Sequence, residues 1–138
     1  MKSYTMYLTQ GNEEVEVNLR LDIEGLLAVK KKYNSDMIID TILSAVSDPE
    51  MCVFIFGQAL KYKGNTNEIA SGKEFYELLV DNDKAGMEGI WDVLINIARV
   101  SGIVTEKMSD RLNTKITSKF DNLFEDDDEG NAESQQAK

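Results

Sequence analysis

Ser47 to Lys61, SDPEMCVFIFGQALK, holds the densest apolar run of the chain, Met51 to Phe56, directly behind helix-start chemistry. Ser47 and Glu50 have the spacing of a capping box. Pro49, the only proline, suits a first helical turn, whose N–H groups have no intrahelical acceptor. A helix of about three turns that is apolar around most of its circumference has to be enclosed. The stretch therefore predicts a central helix with the rest of the chain packed around it.

Upstream, Tyr4, Met6 and Leu8 alternate with Thr5 and Tyr7, and Val15, Val17, Leu19 and Leu21 alternate with Glu14, Glu16, Asn18 and Arg20. With Gly11-Asn12 between them, two period-2 runs predict a β-hairpin. Two strands are marginal alone in water, so their apolar face must lie on helices. Asp22 is placed to cap a helix with Ile23, Leu26, Leu27 and Tyr33 inward. Its last turn carries Lys30, Lys31 and Lys32, favoured there by the helix dipole. Asn34-Ser35-Asp36 is expected to end that helix and cap the next, Met37 to Val46.

Downstream, 62–72 reads as a polar loop. Ser71 and Glu74 have capping-box spacing for a short helix bearing Phe75, Leu78, Leu79 and Val80. Ser71-Gly72-Lys73 is no phosphate loop, because Asn67 and Glu74 stand where that motif needs glycine and Ser or Thr. Asp81, Asp83, Gly86 and Asp92 match part of a calcium loop, but Ala85 offers no oxygen and 89–96 reads as helix, so an inter-helix turn is expected. From Lys84 to Ser101, Met87, Ile90, Trp91, Leu94, Ile95 and Ala98 recur at helical spacing, with Trp91 in the core. Gly102 is placed to stop that helix.

Beyond Gly102 the apolar stripe thins. Val104, Met108, Leu112, Ile116 and Phe120 fall every fourth residue among polar ones, with Leu123 and Phe124 at the end. So narrow a stripe gains little within one domain, which makes these seven residues the candidate partner-binding surface, with a groove on the helical body as the second candidate. From Glu125, EDDDEGNAESQQAK has no apolar anchor and is expected to be disordered. The expected class is α+β, mainly α: a hairpin on about five helices over 1–102, an amphipathic helix over 103–124 and an acidic tail over 125–138.

Composition narrows the function. A chain of 138 residues suits one domain with a real core. Its apolar runs are far shorter than a membrane span of about 20 residues. MKSYTMYLTQ has no signal-peptide core, so a cytoplasmic protein is expected. One cysteine rules out an intramolecular disulfide or a multi-thiolate metal site from one chain, and the absence of histidine removes the common triads, zinc sites and general bases. No catalytic, metal or cofactor-binding residue is assigned. The net charge is −10, half of it after Phe124, and an acidic chain without a basic stripe is a poor nucleic-acid binder.

The order LRLDIEGLLAVKKKYN, MCVFIFGQALKY, EFYELLVDN and MEGIWDVLINIARVSG behind a short hairpin resembles the tail assembly chaperones of long-tailed bacteriophages and prophages, over roughly residues 4–102. The resemblance implies a non-enzymatic factor in the bacterial host cytoplasm, absent from the mature virion. Such factors coat the tape-measure protein, keep its apolar helices soluble and help to recruit the tail-tube protein. In many members a ribosomal frameshift adds a C-terminal extension, and this chain would correspond to the short form. On that reading the C-terminal stripe contacts the tape-measure protein or, by self-association, a second copy. The alternative is an adaptor or anti-regulator that docks a host protein through the C-terminal helix.

Overall fold

The computed structural model describes residues 2–64, 69 and 71–135, those from 124 onward by backbone alone. Among them the chain forms an antiparallel hairpin, β1 (Tyr4–Gln10) and β2 (Glu13–Leu19), and six helices: α1 (Ile23–Tyr33), α2 (Ile38–Ala45), α3 (Pro49–Leu60), α4 (Gly72–Asp81), α5 (Met87–Val100) and α6 (Glu106–Gln135). This is the expected mainly helical α+β class. The chain divides into a body, residues 1–105, and a second unit, 106–138.

The hairpin pairs Tyr4 with Leu19, Met6 with Val17 and Leu8 with Val15. Period 2 therefore puts Tyr4, Met6, Leu8, Val15, Val17 and Leu19 on one face, and Met6, Leu8, Val17 and Leu19 are buried, while Tyr7 stands exposed on the other. Gly11, at φ +64°, holds the first central turn position, where type II′ hairpins take glycine. The other face stays polar, with one inward exception. Asn18 is buried, accepting from the Thr5 hydroxyl at 2.6 Å and donating to Glu16 at 3.0 Å.

Asn82 and Arg20 are among the side chains that tie the hairpin to the helices. Asn82, just past α4, accepts from the Thr9 backbone N–H at 2.8 Å and donates to the Thr9 carbonyl at 3.0 Å, so its amide does for the β1 edge what a further strand would. Arg20 follows β2. Its backbone N–H donates to the Ala59 carbonyl in α3, and its guanidinium donates to the Val100 carbonyl at the end of α5 and to the Lys2 carbonyl. Beside it, the Leu21 N–H donates to the Ser101 hydroxyl at 2.9 Å in the interior.

Helix α3 begins as expected but by a different cap: Asp48, not Ser47, accepts from the Met51 N–H at 3.2 Å, with Pro49 following. Phe56 meets Phe75 of α4 edge-on, centroids 5.0 Å apart. Yet α3 is not the most enclosed helix. It buries Cys52, Ile55, Phe56, Ala59 and Leu60 and leaves Met51, Val53 and Phe54 half-covered. Eight residues of α5 are buried, Trp91 among them. Total apolarity marked α3, but the separation of polar from apolar faces on α5 lets it sit deeper.

The remaining boundaries follow local chemistry. Ser71 caps α4, accepting from Glu74 N–H at 3.1 Å. α5 starts at Met87 rather than Lys84, because Asp83 (φ 57°) turns the chain after α4 and Lys84 N–H bonds back to the Leu79 carbonyl. Gly102 (φ +79°) ends α5, and the Ile103 N–H closes onto the Ala98 carbonyl, a Schellman pattern. Val80 and Met87, expected inward, lie exposed.

The second unit departs most from expectation. Val104 precedes α6 and is buried within the body unit, which moves the boundary from 102 to 105. The backbone of α6 stays helical to Gln135, through the acidic run expected to be disordered. Once nucleated, a helix extends at little cost per residue, and no proline interrupts this one. Residues 136–138 lie outside the described residues.

Candidate docking surface

The C-terminal stripe does not form one open surface. Val104 lies outside α6, Phe120 is buried, and Leu112 and Ile116 are half-covered; Met108 and Leu123 are 47% and 51% exposed. The Phe124 side chain lies outside the described residues. Spacing by four does not say which of these residues stay in water.

The larger open apolar surface is on the body, and two of its residues, Ile23 and Leu27, were expected inward. Ile23 is 67% exposed, Leu27 58% and Met37 59%, while Leu26, Ile38 and Ile39 are half-buried. What α1 buries instead is Gly25 and Val29. A Cβ on Gly25 would sit 3.2 Å from Leu21 Cδ2 and 3.7 Å from Gln58 Cβ, so α1 approaches its neighbours through its smallest residue. That close approach rotates the bulky side chains of α1 outward. The signal in the sequence was Gly25 itself, four residues before Val29.

Helix starts reinforce the exposure. Asp22 occupies the N-cap of α1 but makes no capping bond; its carboxylate lies 3.4 Å from Arg20 Nε instead. Asp36 does not cap α2 either. The N-cap there is Met37, whose carbonyl accepts from the Ser35 hydroxyl at 2.8 Å. α2 then buries Thr41, Ile42 and Ala45, one turn further along, and leaves Ile38 and Ile39 at the rim.

Two grooves result, with Leu26 lining both. One, of about 360 Å³, is lined by Leu26, Met37, Ile38, Ile39 and Ile103, with Lys30 and Asp36 at its edge. The other, of about 580 Å³, runs past Ile23, Asp22, Glu24, Tyr62, Lys63 and Ser101. The three lysines closing α1 are not equivalent. Lys32 lies over the Phe54 ring at 5.0 Å, and Phe54 meets Tyr33 edge-on. Lys30 and Lys31 are exposed and have no carboxylate partner among the described residues. The arrangement is an apolar trough with a cationic end, suited to an amphipathic helix.

Cys52 is buried, and burial, then Asp48, pushes its thiol up to about 12. Burial, then Asp92, likewise raises the Tyr4 hydroxyl to about 12, and that hydroxyl donates to the Asp92 carboxylate at 3.2 Å. Asp92 is thus held by β1 on the side of α5, while Asp81 and Asp83 belong to the end of α4. Among the described residues no group of three or more acids or cysteines is arranged to hold a metal, and no helix is long and apolar enough to cross a membrane. No family model, no curated protein and no solved structure matches this chain.

Proposed function

We propose that this protein is a non-enzymatic assembly chaperone of the phage-tail kind, which shields apolar helices of a tape-measure protein in the host cytoplasm and helps to bring tail-tube subunits to it. The observation that carries this reading is the open α1–α2 trough. The body leaves Ile23, Leu27 and Met37 in water together on α1 and at the start of α2, at a cost of about 1.5–3 kcal/mol for each such side chain left unburied. A surface kept apolar at helical spacing, rimmed by charge, has the design of a helix-binding groove. The contact residues move accordingly from the C-terminal stripe to the body, with exposed Met108 and Leu123 as an accessory surface.

Co-expression tests this. The full chain, produced with a tape-measure protein from the same genome, should hold it in the soluble fraction as a purifiable complex. Leu27→Glu with Met37→Glu should abolish that protection while the variant itself remains folded and soluble. A tape-measure protein that precipitates equally with and without the wild-type chain would sink the proposal.

A further inference from the structure

We propose that the α1–α2 trough also receives the C-terminal end of α6 from a second copy of this chain. The trough has a polarity along α1: apolar at Ile23 and Leu26, then cationic at Lys30, one turn later, where Asp36 shares its edge; exposed Leu27 and Lys31 repeat that order beside it. The chain contains a stretch of opposite design in the same order. Leu123, half-exposed on α6, and Phe124 are followed by Glu125, Asp126, Asp127, Asp128 and Glu129. Laid parallel to α1, this segment runs from apolar to acidic as α1 runs from apolar to cationic, and the two lysines have no carboxylate partner among the described residues.

Two chains of net charge −10 repel as whole bodies. At physiological ionic strength, however, screening sets in beyond about 8 Å, so contacts at the mouth of the trough outweigh the distant repulsion. Each copy carries both the trough and its occupant. Reciprocal exchange therefore closes a two-fold pair, whereas one-way docking adds copies in sequence. The inference needs no other protein, so it stands or falls separately from the chaperone reading.

The test is the mass of the purified full chain by light scattering and sedimentation, from about 1 µM to 1 mM. Mass should rise with concentration, and the association should weaken as salt goes from about 0.05 to 0.5 M. Lys30→Glu with Lys31→Glu, or Asp126→Lys with Asp127→Lys, should each weaken it at least about tenfold, and all four together should restore it to within about threefold of wild type. These are exposed or chain-terminal positions, and circular dichroism verifies that each variant stays folded. In a mixture of ¹⁴N- and ¹⁵N-labelled chains, carbodiimide should join Lys30 or Lys31 to the 125–129 acids across isotopes. A monomer at every concentration, an association indifferent to the charge reversals, or links confined to one copy would each overturn the proposal.

Discussion

A single glycine fixes how α3 and α4 cross. Gly72 opens α4, and a Cβ there would collide with the Val53 carbonyl oxygen and lie 2.7 Å from the Gly57 nitrogen, both backbone atoms of α3. Backbone cannot swing aside as a flexible side chain can, so the two helices would have to part, loosening the Phe56–Phe75 contact beside them. Gly72→Ala should therefore cost about 3 kcal/mol in urea unfolding. Gly86→Ala is the matching control. An added Cβ there meets nothing within 4 Å and its φ is already −66°, so the loss of a glycine N-cap should stay under about 1 kcal/mol. Equal losses for the two would mean that helix propensity, not the crossing, sets the effect.

At the scale of elements, patterning made the hairpin legible in the sequence, because alternation leaves each strand only two faces and burial selects one. α5 was legible for a related reason, its apolar residues forming one broad stripe. α1 was not. A helix offers a continuous choice of rotation, and Ile23, Leu26 and Leu27 looked like its inner face until the close approach at Gly25 turned Val29 inward instead. The exposure of Ile23 and Leu27 escaped for that reason, although a groove on the body was the second candidate, while the four-residue stripe proved partly covered. Capping went astray where an acid had a better partner, as Asp22 does in Arg20. The rotation of α1 is measurable. Leu27→Gln should change stability by less than about 0.5 kcal/mol, whereas Val29→Asp, two positions on, should cost more than about 4 kcal/mol by burying a charge. Similar costs at both positions would restore the rotation first expected from the sequence.

Across the whole molecule, two distant groups give the fold a shared alkaline limit. Cys52 lies in α3 against the interior, and Tyr4 joins β1 to Asp92 on α5. An unfolded thiol ionises near 9.0 and an unfolded tyrosine near 10.0, but in the folded chain both hold their protons to about 12. Between those values the unfolded chain releases protons that the native chain keeps, so unfolding becomes more favourable as pH rises. The sign is that of a raised pKa: the stabilisation is complete below pH 9 and is lost from there towards 12. The melting temperature should therefore begin to fall above pH 9 in the wild-type chain. Cys52→Ala should move the onset up to about pH 10, where only tyrosine remains of the pair. Adding Tyr4→Phe should leave a shallower decline still. If the double variant melted along the same curve as wild type from pH 8 to 12, the burial of these two groups would not be what limits the fold.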